Sequence, residues 1–243
     1  MRSSQTMTRD TALDLLKWLA VLSMVLDHLR YVGWSLNILY VPGRLAFPWF
    51  CLAIAANLAR KGSGQGVQWR YLGSMVVFAC VAELPYRLYI SADATTLSVM
   101  PTLAVGLLVA RGWIDRTVSA WVLAGLALLL AWVFREQLMF GFYGALLPLS
   151  FLWALRRPWY AALLPGAVCL ASNAWPQMFA GASWGDPISI GGIIVCLSAP
   201  LIGLAILRSH PPIAIWPMRR WAYAIYPVHF LLLLALRTAV GPL

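Results

Sequence analysis

The chain alternates long apolar stretches with short polar punctuation. The stretches run over about 12–34, 39–59, 71–90, 97–110, 118–134, 138–155, 159–178, 188–207 and 221–239, most of them near the roughly 20 residues that cross a hydrocarbon core as a helix. Backbone polar groups in hydrocarbon must be satisfied internally. The pattern therefore predicts an all-α fold, a polytopic integral membrane helix bundle with about nine transmembrane helices. The fourth and sixth stretches are the weakest, being short and interrupted by Pro101 and Pro148. The longest polar connections lie at 60–70 and 180–187, where Gly62-Ser63-Gly64-Gln65-Gly66 and Gly181-Ala182-Ser183-Trp184-Gly185-Asp186-Pro187 read as loops. With no soluble domain, low-complexity segment or repeat in the pattern, residues 1–243 read as a single transmembrane domain. The first stretch contains Lys17, lacks a small-residue cleavage site and reads as an uncleaved anchor.

Composition agrees, since 62% hydrophobic and 11% charged residues leave too little polar surface to cover a soluble globule. A net charge of +10 would suit a polyanion if the basic residues gathered on one face or tail. They are distributed by connection instead. Arg2 and Arg9 precede the first stretch, Arg60, Lys61 and Arg70 follow the second, Arg111 and Arg116 the fourth, Arg156 and Arg157 the sixth, and Arg208, Arg219 and Arg220 the eighth. The intervening connections hold Arg135, with Arg30, Arg44 and Arg87 at stretch edges. By the positive-inside rule the N-terminus is expected in the cytoplasm and the C-terminus outside, with the lipid bilayer rather than nucleic acid as the partner. Cys51, Cys80, Cys169 and Cys196 all fall in apolar stretches without Cys-x-x-Cys spacing or a neighbouring His. They read as small core residues, neither disulfide partners nor metal ligands. Trp34, Trp49, Trp113, Trp159, Trp184, Trp216 and Trp221 sit largely at stretch ends and read as interfacial anchors.

Against this apolar background, ionisable groups at bilayer depth stand out, because each is costly to bury. Asp27 and His28 end the first stretch, Arg44 opens the second, Glu83 and Arg87 lie high in the third, and Tyr226-Pro227-Val228-His229 falls mid-way in the last. With the N-terminus inside, a rise of about 1.5 Å per residue puts all of them at middle to outer depth. Four stretches converging in this way predict one shared cavity. Each group also has a plainer use: Asp27 can pair with Arg30, Glu83 with Arg87 at the favourable i,i+4 spacing, and Asp14 with Lys17 at the inner edge. Arg30 and Arg87 can snorkel outward, and a lone intramembrane histidine can simply bond a neighbouring helix.

A neutral imidazole can take the proton of an amine or hydroxyl as it attacks a carbonyl. A nearby arginine can stabilise an oxyanion or a phosphate, most strongly where water is scarce. Consecutive helical residues point about 100° apart, so Asp27 is expected to orient Arg44 or another helix's donor, not His28. No Gly-rich phosphate loop, Gly-x-Ser-x-Gly elbow or metal-binding His pair is present.

Val25-Leu26-Asp27-His28, Gly43-Arg44-Leu45-Ala46-Phe47-Pro48-Trp49-Phe50, Glu83-Leu84-Pro85-Tyr86, Leu97-Ser98-Val99-Met100-Pro101-Thr102-Leu103, Phe142-Tyr143-Gly144 and Tyr226-Pro227-Val228-His229 together resemble the TraX family, in order along nearly the whole chain. The resemblance implies an acyl-CoA-dependent N-acetyltransferase of the bacterial inner membrane, acting in conjugation and pilus assembly. Acetyl-CoA would be the donor and the N-terminal amine of a pilin subunit the acceptor. More distantly it is similar to multi-pass acyltransferases that pass acetyl groups from cytoplasmic CoA to outside acceptors. Carried onto this chain, His28 would be the catalytic base or acyl carrier, Arg44 the oxyanion or donor-binding group, and Asp27 its orienter. His229 matches the family's C-terminal Pro-x-His pattern. Arg87 and Tyr226 join Arg44 as donor-binding candidates. Glu83 stands where the family pattern often has an uncharged polar residue, and as a candidate catalytic carboxylate it would meet a cationic amine or only pair with Arg87. Two other classes compete: a proton-coupled transporter with His28, Glu83 and His229 as relay, for which neither inverted repeats nor paired broken helices are visible, and a non-enzymatic pilus-assembly scaffold.

Overall fold

The fold is that of a computed structural model, which describes residues 10–61, 69–90, 94–209 and 214–240. It is helical throughout, with no strand among the described residues. The first helix, α1 (Thr11–Leu29), is capped by the Asp10 carboxylate, which accepts from the Leu13 amide at 3.0 Å and so satisfies one of the orphan donors of the first turn. A turn through Gly33, at a φ of 118°, returns the chain into α2 (Tyr40–Gly43) and α3 (Ala46–Lys61). The interruption between these two has a covalent cause. Pro48 has no N–H to give the carbonyl of Arg44 four residues back, and Arg44 and Leu45 tighten into i→i+3 bonds to Val41 and Pro42 at 3.2 Å each.

Next come α4 (Trp69–Tyr89), α5 (Val99–Asp115), α6 (Val118–Val133) and α7 (Gly141–Ala154). The stretch expected to form one span over 159–178 is instead broken into a short 3-10 turn, α8 (Leu163–Ser172) and α9 (Pro176–Ser183), with Asn173 at the break and Pro176 opening α9. At 10 residues, α8 covers about 15 Å, half a hydrocarbon core. The chain ends in α10 (Pro187–Arg208) and α11 (Ile225–Val240).

Among the described residues, three helical segments are long and apolar enough to cross a bilayer: Asn37–Arg60, Pro187–Arg208 and Trp221–Val240. Side-chain size adds an independent sign of a lipid environment. In α6 the buried face is Ala120, Ala124, Ala127 and Ala131, while Val122, Leu126, Leu129 and Trp132 are each more than half exposed. Large apolar groups outside and small ones inside is the arrangement of a helix packed closely on its neighbour and solvated by lipid. The close approach is tight enough that a Cβ on Gly112 would lie 2.5 Å from that of Ala124. This is a helical membrane protein.

Three sequence expectations are corrected. Trp49 is no interfacial anchor: it is 5% exposed and donates to the Ala199 carbonyl at 2.9 Å, because the turn at Pro48 aims it into the bundle. Arg111 is not a loop charge but a buried residue of α5, paired with Asp115 at 2.6 Å. Cys80 is exposed, whereas Cys51, Cys169 and Cys196 are core residues. Arg2, Arg9 and the loop over 62–66 lie outside the described residues.

Candidate functional site

A cavity of about 570 Å³ opens between α1, the α2–α3 break, α5, the Asn173 break and α10. Asp27, His28, Arg44 and Tyr226 all line it, so residues from three sequence-distant stretches meet as expected. Arg44 is the most heavily engaged. Its Nη2 donates to Asp27 Oδ2 at 2.9 Å, its Nη1 to Asn173 Oδ1 at 3.0 Å, and its guanidinium stacks over the Tyr40 ring at 4.4 Å. Its Nε, though buried, has no hydrogen-bond partner among the described residues. Asp27 holds two cations: its second oxygen accepts from Arg30 Nε at 3.0 Å. One carboxylate between two guanidiniums leaves a local charge of about +1, in a wall that is largely shielded from water. Asp27 therefore serves Arg44 and Arg30, in keeping with the angular argument from the helix.

His28 is paired elsewhere. Its Nδ1 lies 2.8 Å from Nε2 of His229, whose own Nδ1 is 3.1 Å from the Ile225 carbonyl. A carbonyl only accepts, so the network assigns the proton of His229 to Nδ1, makes its Nε2 an acceptor and makes His28 Nδ1 the donor. The lone pair of neutral His28 is then on Nε2, which has no hydrogen-bond partner among the described residues. His28 lines the cavity and the buried His229 stands behind it. The histidine stack is closed by Phe230, 4.7 Å from His28 and 4.1 Å from His229 between ring centres, and the end of α1 is anchored by the Tyr89 hydroxyl, which donates to the His28 carbonyl at 2.7 Å.

Glu83 and Arg87 are not among the residues lining this cavity. They pair with each other at 2.8 Å, and the second Glu83 oxygen accepts from the Ser98 amide at 3.0 Å. Ser98 caps α5, so Glu83 satisfies a free helix-start donor and ties α4 to α5. Tyr226, a donor-binding candidate, is 7% exposed, and its hydroxyl accepts from the Val99 amide at 3.3 Å.

Tyr40, Tyr89 and Asn173 were not singled out by sequence. Asn173 had a signal, an amide alone in an apolar stretch. Tyr40 and Tyr89 look like the aromatic residues that commonly end spans. Gly43 also gains a reason: a Cβ there would lie 2.5 Å from the Asp27 Cβ, which is fixed to the backbone and cannot swing away. Gly43→Ala is expected to push α1 and α2 apart, misplace Asp27 against Arg44 and cost about tenfold in activity, roughly 1.4 kcal/mol. Gly73→Ala in α4, where a Cβ meets nothing within 4 Å, is the matched control and should be neutral or stabilising. Equal activity of the two variants in membranes would remove Gly43 from the site.

Fold and site together define a helical membrane protein in which His28, backed by His229, and an arginine–aspartate pair line one cavity. The model of the TraX protein family matches residues 12–237, which is nearly the whole chain. The chain belongs to the TraX family. That membership points to a role in conjugation and pilin biology. No curated protein and no solved structure matches it.

Proposed function

We propose that the chain is a membrane acetyltransferase that moves an acetyl group from acetyl-CoA to the N-terminal amine of a pilin subunit. The observation that carries the reading is the His28–His229 pair, which leaves a free imidazole lone pair in the same cavity as a buried Arg44 with an unused Nε. In the reaction the amine nitrogen attacks the acetyl carbonyl carbon. The C–N bond forms, the carbonyl oxygen becomes an oxyanion facing Arg44, and His28 Nε2 takes the amine proton. As the C–S bond breaks, that proton passes to the leaving thiolate, so amide and free thiol are the products and the histidine is neutral again. His229 accepts the His28 Nδ1 hydrogen throughout and holds the tautomer. A free lone pair at this position also suits an acyl-histidine route.

Comparing the intact mass of pilin from cells with and without this protein tests the reading: an acetyl group on the N-terminus only when the protein is present supports it, and unmodified pilin in both overturns it. The second reading, a proton-coupled transporter, draws on a different feature. Two interrupted segments, at Arg44 and at Asn173, meet through the hydrogen bond between those residues, and broken helices of this kind line substrate paths in transporters. Glu83, however, is tied to Ser98 and Arg87 away from the cavity, which takes the carboxylate out of the relay.

In the same proposal the protein sits in the bacterial inner membrane with about nine crossings, a cytoplasmic N-terminus and a periplasmic C-terminus. Gly64 and Leu243, at two informative positions, lie outside the described residues, but Arg156 and Glu136 are exposed in connections expected on opposite sides. With Cys80 replaced by Ala, a cysteine at Glu136 should react with an impermeant thiol reagent in intact spheroplasts and one at Arg156 only after permeabilisation. The reverse pattern would invert the orientation.

A further inference from the structure

A second cavity, of about 310 Å³, is lined by Lys17, Ala53, Asn57, Tyr71, Arg219 and Tyr223, among others. It is separate from the site above, yet four residues line both: Met24, Phe50, Val99 and Tyr226, one each from α1, α3, α5 and α11. They form a collar between the two spaces. Along α1 the walls are continuous: Lys17 and Val21 line the second cavity, Met24 the collar and His28 the first. Steps of four, three and four residues keep these side chains on one helix face, and from Lys17 to His28 the axis rises about 16 Å. Helix α3 repeats the pattern from the other end, with Phe47 in the first cavity, Phe50 in the collar, and Ala53 and Asn57 in the second. The charges differ too. Lys17 and Arg219 line the second cavity with no Asp or Glu among its lining residues; Lys17 is paired with Asp14 at 3.5 Å from outside that lining, and Arg219 has no ion-pair partner among the described residues, so the mouth keeps a net positive charge. The first cavity has Asp27 against Arg30 and Arg44 and nearly twice the volume.

We propose that the second cavity is the donor port. An acyl thioester whose carrier bears phosphates places the phosphates at Lys17 and Arg219 and threads its narrow arm along the Val21 and Ala53 walls. Its thioester reaches the collar, where His28 and the amine held in the larger cavity meet it from the other side. This rests on the acetyltransferase reading and assigns its two substrates to opposite mouths of one passage. The bonds made and broken are those already given; the port adds a route and no chemistry.

Binding is measured on the purified full-length protein in detergent with CoA by calorimetry, and turnover with acetyl-CoA and a synthetic peptide carrying the pilin N-terminus. Lys17→Gln with Arg219→Gln should weaken CoA binding at least tenfold, raise the KM for acetyl-CoA and leave the KM for peptide unchanged. Ala53→Trp, which fills the port, should abolish CoA binding. Met24→Trp, which plugs the collar, should keep CoA binding and lose transfer. Because a bulky change can unfold the protein, the charge pair provides the second measurement, together with a fall in CoA affinity as salt rises. If CoA binds equally to the wild type and to the charge-pair and Ala53→Trp variants, the port is wrong while the acetyltransferase reading stands. If CoA binding is lost only by variants of the first cavity, the two substrates share a mouth and the port is again overturned. If the wild type neither binds CoA nor acetylates peptide, the acetyltransferase reading fails and the port falls with it. Release of a co-purifying anionic phospholipid, with no change in CoA affinity, would make the cavity a lipid site and overturn the proposal.

Discussion

His28→Ala is expected to lower acetyl transfer by about 10² to 10⁴ while the protein still reaches the membrane in normal amount. General-base removal typically costs this much, and the geometry gives no substitute, since His229 is behind His28 and its Nε2 faces the His28 ring nitrogen, not the cavity. The measurement is the initial rate of peptide acetylation by purified variant, normalised to folded protein. His229→Ala should retain more activity, because it removes the group that holds the tautomer and leaves the base itself in place. Wild-type rates for folded His28→Ala would refute the role of His28, and a larger loss for His229→Ala would exchange the roles of the two.

The class of protein was readable from composition and the length of the apolar stretches, because the bilayer sets a length that water-soluble folds have no reason to repeat. The reading of 159–178 as one unbroken helix failed because apolar content reports what lipid tolerates, not where the backbone breaks. Pro165 and Pro176 were visible, but the same residue type at Pro85 and Pro200 sits inside unbroken α4 and α10. The candidate site was legible where a charge was costly. Asp27, His28 and Arg44 line one cavity, the shared location that their common depth predicted. The assignment of Glu83 to that cavity rested on depth alone, and depth leaves open which way a side chain turns on its helix. Glu83 faces the start of α5. The His28–His229 contact spans 201 residues, and no local pattern encodes such a pairing; only the sharing of depth by two histidines hinted at it. The partners of Arg44 divide in the same way, Asp27 being suggested by the helix angle, and Asn173 and Tyr40 known only once the chain is folded.

Arg44→Lys is expected to lower activity by at least about tenfold, roughly 1.4 kcal/mol in barrier, with expression and thermal stability close to wild type. Arg44 bonds Asp27 with one terminal nitrogen and Asn173 with the other, stacks its plane on Tyr40, and still has Nε in reserve. A planar fork can do all four at once. An ammonium keeps the charge, and with it the neutralisation of Asp27, yet it has no plane to stack and no fixed fork, so the donor that faces the oxyanion loses its aim. Removing the charge is a different experiment. Arg44→Ala leaves Asp27 paired with Arg30 alone, but it strips the donor from Asp27 Oδ2 and from Asn173 Oδ1 in a water-poor wall, and each buried polar group left unsatisfied costs about 1 to 3 kcal/mol, enough to reduce the amount of folded protein as well as its rate. The separation of the two outcomes is the test: a folded, slow Arg44→Lys beside a poorly expressed Arg44→Ala means that Arg44 works through its geometry as well as its charge. Full activity in Arg44→Lys would reduce Arg44 to the ion pair with Asp27, and the oxyanion would need another donor in the cavity, with Arg30 the next cation along α1.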